Sequence, residues 1–367
     1  LAKRIIISVT NDLVGDKRVY KVASSLVKNG FDVLVVGRIR KDSQAVFFDF
    51  PTRRFHLLFS KGLLFYAEYN FRLFLFLIFV RAEIFLSNDL DTLAANFLAS
   101  KIRHKKLVYD SHELFTEVPE LQERPRVQRI WKAIEKWILP KVKFSYTVCQ
   151  SISDYYFKQY GIRMGIVRNI PEREPQNIVA SNSKQQLPFE KKIILYQGAL
   201  NVGRGIEYAV EAMNFVENAV LLIIGGGDIE NLLKTLVQKQ NLSQKVLFTG
   251  KLAFSELAYY TRKADLGLSL EENIGLNYYF ALPNKLFDYI RAEIPVLVSR
   301  LPEMERVVNQ YQIGDFIDNH TPKHIAEKMN FCLNNSEFRQ KWKINLQKAS
   351  KDLCWENEEK GFLPFFD

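Results

Sequence analysis

Cysteine is scarce in this chain: the 3 present, Cys149, Cys332 and Cys354, stand far apart, and no Cys-x-x-Cys pair occurs. That count and spacing exclude a disulfide framework and a cysteine-based zinc site, and they point to a reducing compartment. Also missing is an unbroken apolar run of membrane-spanning length. Leu63–Val80 (LLFYAEYNFRLFLFLIFV) comes nearest, but Glu68, Asn70 and Arg72 interrupt it and leave only Leu73–Val80, against the ~18–20 residues a spanning helix needs. The expected element there is a helix buried against a sheet. No succession of charged, apolar and small residues of the secretory-leader kind opens the chain, so the expected location is cytoplasmic. RNP, zinc-finger and basic-helix signatures are absent too, which excludes nucleic acid as the expected partner.

What the chain has is length and apolar content. Its 367 residues, 47% of them apolar, exceed one ordinary domain of about 100–200 residues and suggest two. The net charge of +10 is unevenly shared: residues 1–170 carry 28 Lys and Arg against 16 Asp and Glu, and the remainder carries 23 against 25. The excess of positive charge lies entirely in the first half. Beyond solubility, it implies an anionic partner there, a membrane surface or a phosphate-bearing acceptor.

The hydrophobic pattern alternates. Lys3–Thr10 (KRIIISVT) reads as a buried parallel strand, Val19–Asn29 as a helix stopped by Gly30, and Phe31–Gly37 as a second buried strand, the opening of a doubly wound sheet. Further strands are expected at Ile84–Ser87, Lys106–Tyr109 and Ser145–Cys149. Asp89 or Asp91 is expected to cap the helix Thr92–Lys101, and Ser151 or Ser153 a helix ending at Gly161. Glu172–Glu190, rich in Pro, Asn, Ser and Gln, reads as a linker. After it the alternation restarts, with strands at Lys192–Tyr196, Val220–Ile224, Lys245–Thr249, Leu266–Leu270 and Pro295–Ser299. The reading is α/β: an N-terminal domain at 1–171, a linker at 172–190, a C-terminal domain at 191–345 and a closing segment at 346–367.

In open α/β sheets ligands bind beyond the carboxyl ends of the strands, so the segments just after each strand carry the chemistry. Leu195–Gly205 (LYQGALNVGRG) places Gly198 and Gly203 near Arg204, a backbone that can approach an anion beside a forked donor. Ile223–Asp228 (IIGGGD) includes Gly226 and Gly227 but lacks the full Gly-x-Gly-x-x-Gly fingerprint with its ribose-binding acid, which argues against a dinucleotide dehydrogenase. In Leu270–Ser299, Pro283 suits the first helical position, leaving the amides of Asn284, Lys285 and Leu286 to attract a diphosphate. Lys285 and Asp288 share one helix face. They either serve a ligand, ammonium to phosphate and carboxylate to ribose hydroxyls, or pair with each other. Asp-x-Asp occurs at Asp89–Asp91, not at a strand end of the second half, so no metal is expected in the donor site.

This succession, from the glycine-arginine loop through the triple glycine and the acidic Glu271–Glu272 to PNKLFDYIRAEIPVLVS, resembles the retaining glycosyltransferases of family 4. The resemblance implies the GT-B fold, two Rossmann-like domains facing across a cleft. It implies a hexose-type transfer from a nucleotide diphosphate sugar, UDP- or GDP-linked, with retention and no further cofactor. By resemblance, Arg204 binds the donor diphosphate, Glu271 or Glu272 the donor sugar and Asp288 the ribose. Lys251 and Leu252 lie where the nucleobase packs, and His112, in Tyr-Asp-Ser-His-Glu, is the N-domain histidine that reaches the donor sugar. Gly15, Asp16 and Arg18 form an acceptor-side loop, with Arg18 either a ligand contact or the ion-pair partner of Asp16. The sequence departs from the family in having Ala199 where a basic residue is common, Asp288 for a glutamate, a longer spacing before Asp288, and Glu293 where a glycine is common. The implied acceptor is a glycan or lipid-linked glycan, with the closing segment crossing back to the N-domain. Two other functions fit the same residues: a nucleotide-sugar epimerase, and a non-catalytic sugar- or lipid-phosphate-binding subunit.

Overall fold

The structure, a computed structural model, describes residues 2–173 and 190–367, without the side chains of 254–255. The expected linker therefore lies almost wholly outside the described residues. The chain divides into two compact units, Leu1–Asn169 with Glu359–Asp367, and Ile170–Glu358.

The first unit is built on seven strands: β1 (Arg4–Ser8), β2 (Asp32–Ile39), β3 (Thr52–His56), β4 (Ile84–Asn88), β5 (Lys106–Ser111), β6 (Phe144–Thr147) and β7 (Gly165–Ile166). They run parallel in the order β3-β2-β1-β4-β5-β6-β7. The central strands are apolar along their length because both faces are covered: Ile5, Ile6 and Ile7 of β1 have no solvent exposure. The helices are α1 (Lys17–Lys28), α2 (Gly62–Phe79), α3 (Leu90–Arg103), α4 (Pro119–Gln122), α5 (Pro125–Ile138) and α6 (Gln150–Tyr160). The last nine residues, which belong to this unit, bring Phe362 and Phe365 against the ring of Tyr146 at 6.2 and 5.2 Å.

Several local expectations are corrected. Helix α2 is not buried all round: Phe65, Tyr69, Leu73 and Leu77 form one buried stripe, and Phe71, Leu75 and Phe79 are exposed. Its length and composition suffice to cross a membrane, with 22% of the span buried in the protein. Neither α3 nor α6 is capped by the side chain of its N-cap residue. Asp89 precedes α3 without a side-chain cap bond, and Asp91 accepts from Thr10 Oγ1 instead. Cys149 precedes α6, and Ser153 Oγ donates to the carbonyl of Met164 at 2.8 Å. Edge strand β3, with the pattern Thr-Arg-Arg-Phe-His, and helix α5 went unread because their periodicity is hidden among charged residues.

The second unit holds β8 (Lys192–Gln197), β9 (Ala219–Ile224), β10 (Val246–Gly250), β11 (Leu266–Ser269), β12 (Val296–Ser299) and β13 (Gly314–Ile317). All are parallel, in the order β10-β9-β8-β11-β12-β13. Each sheet reverses its winding once, between β1 and β4 and between β8 and β11. At such a switch point neighbouring loops diverge and leave room at the strands' carboxyl ends.

Candidate functional site

In the second unit the switch point puts the loop after β8 beside the loop after β11, which unites segments about seventy residues apart in sequence. The glycine loops are first of all packed on one another. Gly198 N–H donates to Ile224 O at 2.9 Å and Gly225 N–H to Gly250 O at 3.0 Å. Gly225 has φ +147°, and a Cβ there would lie 1.9 Å from Gly198 O. Gly227 is equally tight against Leu200 O, at 2.5 Å. Gly203 would carry a Cβ into the Ile274 side chain at 2.4 Å. Close packing within the protein thus explains these glycines, against backbone at Gly225 and Gly227 and against the Ile274 and Tyr278 side chains at Gly203. Gly226 is the looser of the run, with Lys251 Cε at 3.1 Å from its virtual Cβ, and so the exits of β9 and β10 meet there. Lys251 is exposed and Leu252 half-buried.

Three charged groups converge at this point. Lys285 Nζ donates to Glu271 Oε1 at 2.8 Å and lies 4.1 Å from the centre of the Tyr196 ring. Arg204 Nη1 stands 3.6 Å from the same carboxylate oxygen, and its guanidinium is 5.0 Å from the Tyr278 ring. Ser269 Oγ donates to Glu271 Oε2 at 2.7 Å. Glu271 is fully buried, and the Lys285 side chain is 9% and that of Arg204 29% exposed. Burial alone would raise the Glu271 pKa, but Lys285, then Arg204 and Ser269, hold it below the ordinary glutamate value. Glu272 points elsewhere, accepting from Tyr208 Oη at 3.3 Å, while its amide donates to Gly203 O at 2.9 Å. Of the two expected glutamates, only Glu271 joins the cations.

Helix Asn284–Arg291 has Pro283 as its N-cap rather than at its first helical position. Leu286 N–H is already bonded to Pro283 O at 3.1 Å, so the amides of Asn284 and Lys285 are the ones without a partner four residues back. Lys285 and Asp288 do not pair. Asp288 Oδ2 accepts from Gln197 Nε2 at 3.0 Å, and Oδ1 lies 3.5 Å from Arg291 Nη2. Gln197, 3% exposed, is itself fixed by Thr261 Oγ1, which donates to its Oε1 at 2.7 Å. Sequence reasoning missed Gln197, whose only signal is that of a polar residue closing a buried strand, and Thr261, which lies within helix Phe254–Lys263 and gives none. It also missed His320, whose Nε2 lies 3.0 Å from Leu270 O, and passed over its spacing of four from His324. The two diverge: His324 Nε2 accepts from the Asp318 amide at 3.1 Å. Among the described residues no group of three or more His, Cys, Asp or Glu could hold a metal ion.

The N-terminal candidates form a separate cluster beyond β4 and β5. Asp16 caps α1 by accepting from Val19 N–H at 3.0 Å and also holds Asn11 Nδ2 at 2.6 Å, while Gly15 turns the chain at φ +80°. Arg18 does not pair with Asp16. It is 4% exposed and forks onto Asp110 at 3.0 and 2.8 Å, with a third bond to Val167 O at 3.1 Å. His112 is likewise engaged on both ring nitrogens: Nδ1 lies 3.2 Å from Asp89 Oδ2, and Nε2 3.1 Å from Asp110 Oδ2. Burial alone would lower the His112 pKa, but Asp89 and then Asp110 outweigh it and raise it well above the ordinary histidine value. Burial would raise Asp110, yet Arg18 and then His112 pull it down to about 2. Asp91 goes the other way, pushed up to about 7 by burial and then by Asp89. Asp89 adopts φ 58°, ψ 169°, a region costly for any side chain but glycine. Its carboxylate receives the His112 amide at 2.9 Å.

The family described as "Glycosyltransferase Family 4" matches residues 16–172, and that described as "Glycosyl transferases group 1" matches 179–349. An uncharacterized glycosyltransferase of Methanocaldococcus jannaschii is 27% identical over 177 residues, 46% of this chain and 43% of that protein. The matched stretch thus spans less than half of that curated relative. Among solved structures, sucrose-phosphate synthase from Thermosynechococcus elongatus superposes with a TM-score of 0.82 at 17% identity, over 99% of this chain and 98% of that one. HepE of Anabaena, solved in complex with UDP, gives 0.72 at 15% identity, over 99% of both chains. These likenesses agree with the two parallel sheets in assigning the fold to the GT-B class.

Proposed function

We propose that this chain, which belongs to the glycosyltransferases of the GT-B fold, moves a hexose-type sugar from a nucleotide diphosphate sugar, UDP- or GDP-linked, to a glycan or lipid-linked glycan acceptor with retention. The observation that carries this reading is the convergence of Arg204 and Lys285 on one buried carboxylate at the β8/β11 switch point. Two cations held that close, with the amides of Asn284 and Lys285 beside them, suit a diphosphate.

In this reading Glu271 holds the two cations in place before the donor binds. The diphosphate then takes over as their counter-ion, and the freed carboxylate turns to the donor sugar's hydroxyls. As the glycosidic bond to the diphosphate breaks, negative charge grows on the leaving oxygen. Arg204 and Lys285 stabilise that charge, an electrostatic contribution of the kind that supplies about 10²–10³ in rate per donor. No metal ion is assigned to the step. Asp288, oriented by Gln197, accepts from the ribose hydroxyls, and Leu252 packs near the base. That HepE was solved with UDP supports a uridine donor first. The positive excess of residues 1–170 supports a phosphate-bearing or lipid-linked acceptor and a place at the cytoplasmic face of a membrane.

The test is a thermal-shift screen of the purified protein against UDP, GDP, ADP and CMP, followed by turnover with donor sugars of the base that stabilises it. Stabilisation by one nucleoside diphosphate and transfer to a glycan acceptor are expected. Absence of any nucleotide effect would sink the reading. An epimerised donor appearing without acceptor would replace it with the epimerase alternative.

A further inference from the structure

We propose that the outer face of helices α2, α3 and α5 docks the protein onto an anionic lipid surface. The inference deepens the membrane-proximal role proposed above and rests on it for its purpose, while the face itself lies wholly within the first unit.

The three helices form one layer on the sheet. Asn70 Nδ2 of α2 donates to Asp91 O of α3 at 2.7 Å, Tyr66 of α2 meets Trp131 of α5 with ring centres 5.1 Å apart, and Phe97 of α3 meets Trp137 of α5 at 5.7 Å. Their inward sides are ordinary core. Their outward sides are not ordinary surface. On α2, Leu64, Phe71, Leu75 and Phe79 recur at helical spacing opposite the buried stripe, with Phe71 63% and Phe79 83% exposed. On α3, Ile102 is 61% exposed, and on α5 Trp137 is 49% exposed, with Ile130 on the same side about two turns earlier. Large apolar side chains left on a surface in this concentration mark an interaction face.

Charge decides what covers it. The three helices carry three carboxylates, Glu68, Asp91 and Glu135, and all are withdrawn. Glu68 is bonded to Arg72 at 2.8 Å with its side chain 11% exposed, and Asp91 and Glu135 are buried. The exposed charges are cations: Arg126, Arg129 and Lys136 on α5, and Lys101 on α3. At the end of the layer where α3 and α5 stop, Lys101, Lys105, Lys106, Lys141 and Lys143 line one hollow together with Phe144. Lys141 also lies over the Trp137 ring at 5.1 Å. Apolar side chains interleaved with lysine and arginine, with no exposed carboxylate on the three helices themselves (the exposed Glu120 and Glu123 precede α5), match an interface of acyl chains and anionic headgroups. A second copy of the chain fits worse, because two such faces would bring cation against cation. An acidic protein would satisfy the lysines but gives no reason for so many apolar side chains to be exposed among them.

The experiment is co-sedimentation of the full chain with vesicles of phosphatidylcholine alone and of phosphatidylcholine mixed equally with phosphatidylglycerol. Binding to the anionic vesicles, weakened by added salt, is expected, with little on the neutral ones. The pairs R129E/K136E and F79S/I102S should each lower partition at least about tenfold. Both should keep the wild-type melting temperature and the nucleotide-induced shift, since all four residues belong to the first unit and the β8/β11 switch point to the second. Equal partition onto both vesicle types, no partition, or variants that bind like wild type would overturn the proposal, as would a stable dimer in solution that F79S/I102S dissociates. A donor site that fails its own nucleotide screen while anionic vesicles still bind would count against the donor reading and for the docking face.

Discussion

Lys285 and Glu271 form a buried ion pair, 2.8 Å from Nζ to Oε1, with the lysine 8% and the glutamate 0% exposed. Removing one partner of such a pair leaves a charge with no solvent to receive it, which costs about 3–5 kcal/mol. Arg204 stands 3.6 Å away and offsets part of that. Lys285→Ala is therefore expected to lower stability by about 2–4 kcal/mol and turnover by about 10²–10³. Chemical denaturation and turnover, measured on the same preparation, separate the two effects. Glu271→Gln should keep nucleotide affinity or raise it while turnover falls. Unchanged turnover in both variants would remove this pair from the mechanism.

Arg204 offers the cleaner contrast. Its side chain is 29% exposed, and Glu271 keeps Lys285 and Ser269 without it. Arg204→Ala should change stability by less than about 1 kcal/mol yet cost at least about tenfold in turnover. Calorimetry beside a steady-state assay checks this, and a stability loss as large as that of Lys285→Ala would contradict the structure.

Asp288 is one methylene shorter than the family's glutamate and is steadied by Gln197 and, behind it, Thr261. If it reads the ribose, Asp288→Asn should bind the nucleoside diphosphate and its 2′,3′-dideoxy analogue with nearly equal affinity. The wild type should prefer the ribose form by about 1.5–3 kcal/mol, the worth of a hydrogen bond to a charged group. Gln197→Leu should narrow the same preference. Titration calorimetry with the two ligands reads it directly.

Acidity in the N-terminal cluster predicts a pH profile. His112 titrates above its ordinary value in the folded state, so its contribution is fully present below about 6.5 and is lost as pH rises through the folded value. Asp91, pushed up to about 7, stays protonated in the folded chain while the unfolded chain ionises. It therefore lowers stability as pH climbs from about 4 to 7. Asp110, near 2, contributes above about 4 and loses that contribution as pH falls toward 2. Melting temperature against pH should decline from 4 upward in the wild type. Asp91→Asn should flatten the lower part of the decline and His112→Gln the upper part.

Glu293 follows helix Asn284–Arg291 with φ +58°, a left-handed conformation that favours glycine. Glu293→Gly should raise stability by about 0.5–1 kcal/mol, the relief of strain less the extra unfolded-state freedom of glycine. A melting temperature below wild type would refute this.

Much of the fold was legible in the sequence. Near-continuous apolar runs such as Ile5–Ile7 and Val220–Ile224 can only be strands covered on both faces, and helices spaced between them dictate parallel winding. The triple glycine and Arg204 were legible as strand-end loops for the same reason, and the Pro283–Asp288 run as a helix start. What stayed hidden was pairing. Arg18 read as a ligand contact or as the partner of Asp16, and His112 by resemblance as a sugar contact; their bonds to Asp110 and Asp89 were in neither reading. Glu271 and Glu272 were indistinguishable until the β11 exit turned one toward Lys285 and the other toward Tyr208. Helix α2 read as core because composition does not say which of two apolar stripes meets the sheet.

By itself, then, the sequence determined the local order: which segments are strands, which loops can approach an anion, and that the positive charge sits in the first half. Tertiary structure alone decided which charges are spent inside the protein and which remain at a surface. The reason is physical: a charge's partner is fixed by strand order and by the direction a side chain leaves its element. Arg18 and Asp110, 92 residues apart, become neighbours only when β1 and β5 flank β4 in one sheet.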